Sequence, residues 1–84
     1  MGRTKQLKFV DMIPGKLYQV KRNMFFYDNI NGYGAVVKAG VYLVTKFDAC
    51  HTYANCHFLI GKREIGFTLS ETDINFYLRP YNDD

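Results

Sequence analysis

The sequence predicts an all-β domain of five short strands that close into a small barrel, with one short 3₁₀ or helical turn before the last strand. The apolar runs are short and rich in β-branched and aromatic side chains, as in Gly40–Phe47, and such side chains fit a pleated sheet better than a helix face. Clusters of Gly, Asn and Pro separate these runs, which is typical of turns between strands. Closure into a barrel is expected because it removes the unpaired edges of a flat sheet.

One domain accounts for nearly all of the 84 residues. Residues 1–11 are basic and carry few apolar side chains, so we expect a loosely ordered N-terminal segment. The barrel is predicted over residues 12–81, and residues 82–84 are expected to form a frayed tail.

The first half of the domain predicts a turn, a strand and a long loop. Pro14-Gly15 favours a type II turn because glycine accepts the positive φ that this turn requires. The first strand is predicted over Leu17–Arg22. Residues 23–39 mix strand-like side chains with loop chemistry, and Asn31-Gly32 indicates a tight turn. We therefore expect a long, partly paired loop that leads into the central strand, Gly40–Phe47.

The second half predicts a hairpin and a helical turn. Ser70 is followed three residues later by Asp73, a pattern that resembles a capping box and predicts a helical turn over residues 71–76. The other predicted elements are a turn at 48–55, strands at Cys56–Ile60 and Ile65–Leu69 joined by the polar turn Gly61–Glu64, and a last strand over Phe76–Pro80.

The charge is mildly basic and unevenly distributed. The net charge is +3, and six of the eleven Lys and Arg residues lie within residues 1–22, where Asp11 is the sole acidic residue. Such a basic front end can contact nucleic acid or an acidic protein, or simply keep the chain soluble.

No segment indicates export or insertion into a membrane. The sequence has neither a secretory signal nor an apolar run long enough to span a bilayer. We therefore expect a cytoplasmic protein without a membrane partner, and we expect its two cysteines to be reduced thiols.

The predicted order of elements resembles the SH3 fold. The first strand at Leu17–Arg22 is followed by a long loop of the RT type, and Gly61–Glu64 corresponds to the distal hairpin of that fold. Gly66–Ser70 then leads into the 3₁₀ turn. The resemblance covers residues 13–81 and implies an SH3-like barrel, a fold that serves many unrelated functions.

The residues with which SH3 domains recognise proline-rich peptides are absent. Leu17–Val20 stands where those domains carry Ala-Leu-Tyr-Asp-Tyr, Leu69–Thr72 replaces Pro-Ser-Asn-Tyr, and the chain has no Trp. Polyproline recognition needs an aromatic-lined groove, so we do not expect it. The stretch Ile13–Val20 is also similar to small SH3-like proteins of tailed phages, which implies a viral accessory protein that acts in the host cytoplasm.

Two Cys-His pairs, Cys50-His51 and Cys56-His57, are the most metal-like feature of the sequence. Thiolate and imidazole ligands could hold Zn²⁺ if the intervening turn brought the two pairs together. Five residues separate the cysteines, more than in typical zinc sites, and neighbours in a strand point to opposite faces. Two buried cysteines and two partly exposed histidines are the expected alternative, without a cofactor.

No catalytic constellation is recognisable. A cysteine beside a histidine in a strand does not face it, and no third group is identifiable that would orient the pair. Four carboxylates look like ordinary solvated turn residues: Asp28, Glu64, Glu71 and Asp73. The sequence therefore predicts a binding protein and no enzyme.

The surplus of aromatic residues indicates a binding surface. Seven Tyr and seven Phe exceed what one small core can hold, and aromatic side chains on loops offer large contact area at low entropy cost. The candidate binding residues are Phe25, Phe26, Tyr27, Tyr33, Tyr53, Lys21, Arg22 and Arg63. The favoured hypothesis is stoichiometric binding, and inhibition, of a host protein, such as a defence component.

Two other ligands fit the same residues. A nucleotide-like small molecule, held at the interface of a homo-oligomer, could place its phosphate on Arg22, Lys21 or Arg63 and its base on a tyrosine. Single-stranded nucleic acid could stack on the aromatic side chains beside the cations. The cations of this second alternative are Lys5, Lys8, Lys21, Arg22, Lys62 and Arg63.

Overall fold

The computed structural model describes residues 6–81. The strands within this range are Leu17–Val20 (β1), Met24–Asp28 (β2), Tyr33–Val37 (β3), Gly40–Cys50 (β4), Tyr53–Ile60 (β5), Arg63–Ser70 (β6) and Leu78–Pro80 (β7). A 3₁₀ turn spans Phe9–Asp11, and one α-helix spans Glu71–Tyr77 (α1). The predicted tail at 82–84 and the first five residues of the predicted N-terminal segment lie outside the described residues.

The described chain is mostly β-sheet, which confirms the all-β prediction. Five strands form one antiparallel sheet in the order β6-β5-β4-β1-β7, and β2 pairs with β3 in a separate two-stranded sheet. Both sheets are open, since no hydrogen-bonded ladder joins β6 to β7 within the described residues. The described strands number seven, against five predicted.

The β4–β5 hairpin is longer than predicted. Residues 48–55 were predicted as a turn, but only His51 and Thr52 separate the two strands. Ala54 and Cys56 are buried and alternate with exposed residues, so burial of one face extends β5 through turn-prone residues. His51 has φ of 57°, a left-handed conformation that is uncommon outside glycine and is found in tight hairpin turns.

Residues 24–37, predicted as part of a long, partly paired loop, form the continuous β2–β3 hairpin. Its five residue pairs run without interruption from Met24 opposite Val37 to Asp28 opposite Tyr33. Met24 and Asp28 are fully buried and alternate with exposed positions. This alternation is the period-2 pattern of a half-buried strand, and it makes the segment a sheet in spite of its loop-forming residues.

The capping box at the start of α1 is confirmed. The hydroxyl of Ser70 accepts a hydrogen bond from the Asp73 amide at 3.1 Å, and the Asp73 carboxylate accepts one from the Ser70 amide at 3.0 Å. The helix continues to Tyr77, one residue beyond the prediction, so β7 begins only at Leu78. Within residues 6–81, no helix is long and apolar enough to cross a bilayer.

The N-terminal residues that the structure describes are tied to α1. Leu7 is buried in the core, and its backbone N–H and C=O both bond to the side-chain amide of Asn75. The Phe9 amide donates to the Glu71 carboxylate at 2.7 Å. These contacts attach the start of the described chain to the α-helix near the other end of the chain.

The hydrophobic core lies between the inner face of the five-stranded sheet, the β2–β3 hairpin and α1. Phe67 on β6 is fully buried at its centre, with Phe58 at 6.2 Å and Phe26 at 5.3 Å between ring centroids. Phe26 also meets Tyr77 edge to face at 5.5 Å. These aromatic contacts fix the hairpin to the sheet, because offset and edge-to-face ring pairs add stability beyond their buried area.

Candidate functional site

Three exposed apolar side chains lie together on the outer side of the β2–β3 hairpin. Phe25 is 69% exposed, Tyr27 63% and Val36 50%. Phe25 and Tyr27 are two residues apart on β2, and Val36 lies directly opposite Phe25 on β3, so all three point to the same side of this small sheet. We call this surface the hairpin face.

Gly34 holds the aromatic ring of Phe25 in place. A β-carbon at position 34 would come within 2.9 Å of the Phe25 ring atom Cζ. The outer end of the ring therefore lies directly over Gly34, where any side chain would displace it. Phe25 is exposed to solvent and yet held against its own sheet, a combination that lowers the entropy cost of contact with a binding partner.

The turn of the hairpin is organised by Asp28, which is fully buried. Its carboxylate oxygen Oδ1 accepts hydrogen bonds from the amides of Ile30 at 3.0 Å, Asn31 at 3.2 Å and Gly66 at 3.2 Å. Its Oδ2 accepts a bond of 2.6 Å from the side-chain amide of Asn31. The prediction that Asp28 is a solvated turn residue is therefore wrong, because its carboxylate faces inward.

The hydrogen bonds around Asp28 set its ionisation. Burial raises the pKa of a carboxylate, but the bonds from the Asn31 side chain and from the amides of Gly66, Ile30 and Asn31 outweigh this effect and hold the pKa of Asp28 below its ordinary value. Asp28 is therefore a negative charge inside the hairpin turn at neutral pH, and each bond to it is charge-assisted.

The same turn covers the outer edge of β6. The Asn29 amide donates to the Gly66 carbonyl at 2.8 Å, and the Asn31 side chain donates to the Glu64 carbonyl at 3.2 Å. Together with the bond from the Gly66 amide to Asp28, these contacts pair the β6 edge with the turn. The hairpin is thus anchored at two places: its inner face packs on the core, and its turn is bonded to β6.

The predicted cations are dispersed over the surface. Arg63 donates to the hydroxyl of Tyr33 at 3.0 Å, next to the tip of the hairpin. Lys21 instead donates to the Asn75 carbonyl at 2.8 Å near the end of α1, and the guanidinium of Arg22 lies 4.2 Å from the ring centre of Phe76. Of the three cations, Arg63 is the one that the structure places beside a predicted aromatic residue.

Three predicted aromatic residues lie away from the hairpin face, namely Phe26, Tyr33 and Tyr53. Tyr33 is exposed but lies opposite Asp28 on β3, so it points to the other side of the hairpin. Phe26 is on the opposite side of β2 from Phe25, where it is half-buried and packs against the core, so the interpretation of Phe26 as a surface residue is not supported by its position. Tyr53 is exposed near the tip of the β4–β5 hairpin, where it lines a shallow depression of about 310 Å³ with Cys50 and Asp48.

The two Cys-His pairs are separated by the alternation of the strands. Cys56 is buried, and burial raises the pKa of its thiol to about 12, whereas Cys50 is exposed at the hairpin tip. His57 lies on the outer face, where its Nδ1 is 3.1 Å from the Glu64 carboxylate. Among residues 6–81, no three His, Cys, Asp or Glu side chains are placed to share a metal ion.

A polar network on the outer face of the five-stranded sheet was not predicted. The Thr45 hydroxyl donates to Glu64 at 2.6 Å, on the same carboxylate oxygen that faces His57. The hydrogen bond from Thr45 is the main cause of the lowered pKa of Glu64, and the hydrogen bond from His57 lowers this pKa further. Thr45 reaches Glu64 because the register of β4 shifts between Val44 and Lys46, a bulge that the sequence does not indicate.

We expect adjacent phenylalanines on β2 to differ sharply in their effect on stability. Phe26→Ala removes a half-buried ring that packs on Phe67 and Tyr77, and it should lower the free energy of unfolding by about 2 to 3 kcal/mol, at or below the low end of the range for a fully buried phenylalanine. Phe25→Ser changes an exposed side chain and should alter it by about 0.5 kcal/mol or less. Urea unfolding followed by circular dichroism measures both changes. Equal losses for the two variants would contradict the placement of Phe26 in the core and of Phe25 outside it.

Comparisons with known proteins reveal no relative of this chain. No protein-family model, no curated protein and no solved structure matches it.

Proposed function

We propose that this protein is a non-enzymatic module that binds another protein through the hairpin face. The observation that carries the proposal is the placement of Phe25, Tyr27 and Val36 side by side in solvent on a hairpin that is itself firmly anchored. Aromatic residues are enriched among the few side chains that dominate the energy of protein interfaces. Two aromatic side chains beside Val36 on a rigid support have the character of an interface centre.

The charges around this surface also support a protein partner. Arg63 lies at the tip of the hairpin, and Lys38 follows the last residue of β3, while Asp28 is buried beneath the turn. Apolar side chains with charged residues around them match the usual arrangement of an interface, in which the centre is apolar and the rim is polar.

The proposal includes an SH3-like arrangement of the domain. Its support is the strand order β6-β5-β4-β1-β7, together with the β2–β3 hairpin, which occupies the place of the predicted RT-type loop between the first strand and the central strand. In this arrangement the hairpin face lies on the long connection between β1 and β4, and binding residues are commonly found on such connections.

The biological part of the proposal is stoichiometric inhibition of a host component by a viral accessory protein. It is motivated by the resemblance to small phage proteins that the sequence Ile13–Val20 suggests by itself, and by the absence of a recognisable catalytic pattern in the sequence. A binding protein of this kind acts at amounts equal to those of its target, and titration against the target would distinguish it from an enzyme.

Site-specific photo-crosslinking in cells tests the proposal directly. With benzoylphenylalanine at position 27, we expect a discrete protein adduct on ultraviolet irradiation, identified by mass spectrometry. The matched control is position 81, because Tyr81 is also an exposed tyrosine but lies beside β1 and β7, at the other edge of the sheet from β6.

The pattern of adducts decides the outcome. A protein adduct from position 27 without the same adduct from position 81 supports the hairpin face as the site. Equal adducts from both positions, adducts that nuclease digestion removes, or no adduct from position 27 would contradict the proposal.

A further inference from the structure

The edges of the two sheets are protected to different degrees. The outer edge of β6 is covered by the hairpin turn through Asn29 and Asn31. At the other side of the large sheet, β7 is only three residues long and ends in Pro80, which has no N–H to offer. Short strands and proline are common means by which proteins protect an edge from unwanted pairing.

The outer edge of β3 has no such protection. β2 is the strand of the hairpin that lies against β6, so β3 is on the far side. Among residues 6–81, no backbone group outside the hairpin bonds to Tyr33–Val37. In an antiparallel pair, alternate residues turn their N–H and C=O groups away from the partner strand. These groups of β3 are therefore available to another chain.

The composition of β3 makes this edge unusual. The strand reads Tyr-Gly-Ala-Val-Val, without a charged residue, a proline or a bulge. An exposed edge strand of this kind invites pairing and is normally avoided in a protein that acts alone. Its position beside Phe25 and Tyr27 places the open edge and the exposed side chains on the same hairpin.

We propose that β3 accepts an extended segment of the partner as an additional strand. This inference rests on the proposed function and specifies how the hairpin face is used. Main-chain hydrogen bonds along β3 would supply affinity, and the side chains of the hairpin face would select apolar residues at alternate positions of the incoming strand. The segment is about five residues long, since β3 has that length.

The charges at the two ends of β3 identify the chemistry of the segment. Arg63 is bonded to Tyr33 at the start of the strand, and Lys38 follows its end. A second copy of this chain is disfavoured, because antiparallel pairing of two β3 strands would bring Lys38 of one copy toward Arg63 of the other. An apolar strand with acidic residues at both ends pairs with these cations and is the occupant that the structure favours.

A designed peptide tests this inference even before the partner is identified. The probe is Asp-Asp-Thr-Val-Thr-Val-Thr-Asp-Asp, titrated into the whole protein labelled with ¹⁵N. We expect shifts of the β3 amide signals and slower hydrogen exchange of alternate β3 amides. A probe with Lys in place of Asp should bind at least about tenfold more weakly, equivalent to the loss of about 1.4 kcal/mol.

N-methylation of the peptide separates strand addition from simple side-chain contact. Methyl groups on the amides of one alternate set remove the bonds toward β3, whereas methyl groups on the other set point into solvent. We expect one methylated probe to lose at least about tenfold in affinity and the other to bind as before, because two or more hydrogen bonds are lost in one case only.

The outcomes separate this inference from the proposed function. Absence of probe binding, equal effects of the two methylated sets, or a dimer held together by β3 in sedimentation experiments would overturn the inference. A protein adduct at position 27 could still form in each of these cases, and the proposed function would then stand without strand addition. Absence of a protein adduct at position 27 would contradict both the proposed function and strand addition.

Discussion

Replacement of Asp28 by alanine is expected to lower the free energy of unfolding by about 3 kcal/mol. The substitution leaves the amides of Ile30, Asn31 and Gly66 without their acceptor. The Gly66 amide is the costly one, since Gly66 is buried and a buried N–H without an acceptor is strongly destabilising. Urea unfolding at pH 7 measures the loss, which is a large fraction of the total stability of a domain of this size.

Asp28→Asn is the matched control because it preserves the shape of the side chain. The remaining carbonyl oxygen can still accept hydrogen bonds from the three backbone amides. The new NH₂ group, however, faces the side-chain NH₂ of Asn31, which donates to Oδ2 in the native protein. We expect an intermediate loss of about 1 to 2 kcal/mol. If both variants were as stable as the native protein, the turn would not depend on the buried carboxylate.

The ionisation of Asp28 also predicts an acid-sensitive contribution to stability. Its pKa in the folded state lies below its ordinary value, which is about 3.9 in an unfolded chain. The carboxylate therefore stabilises the fold above that value, and this stabilisation is lost as the pH falls through the folded pKa. The native protein should lose more stability than Asp28→Asn between about pH 5 and pH 2, while the contribution of Glu64 is common to both.

The parts of the fold that follow local rules were predictable from the sequence. In the capping box, the side chains of Ser70 and Asp73 bond to nearby backbone N–H groups at the start of the helix, so four consecutive residues are enough to recognise the pattern. The β5–β6 hairpin followed from short apolar strands on either side of a polar turn, with Gly61 at positive φ. These features depend on interactions between residues close in sequence.

The features that escaped prediction depend on contacts between distant residues. A turn near Asn31-Gly32 was predicted, but not its attachment to the β6 backbone at Gly66, which supplies and receives hydrogen bonds. Phe25 and Phe26 are chemically identical neighbours, and Phe26 is the one that packs on Phe67 and Tyr77, which are distant in sequence. Strict alternation along β2 could have indicated that adjacent aromatic residues face opposite sides.

Combined replacement of Phe25 and Tyr27 by serine is expected to reduce the affinity for the partner by at least about a hundredfold. Loss of each exposed aromatic anchor at the centre of an interface costs about 2 kcal/mol or more, and each 1.4 kcal/mol corresponds to about a factor of ten. The fold should persist, because both side chains are outside the core. Titration of the partner identified by crosslinking, followed by calorimetry, measures the change.

Replacement of Tyr81 by serine is the matched control, as it removes an aromatic side chain of similar exposure from the other edge of the sheet. This variant should bind like the native protein. Binding of single-stranded nucleic acid by the native protein, with an affinity that falls steeply as salt is raised, would instead support the nucleic-acid alternative, since binding to phosphates is strongly salt-dependent. If the double variant of Phe25 and Tyr27 bound the partner as tightly as the native protein, the exposed aromatic residues of the hairpin would not be the binding site.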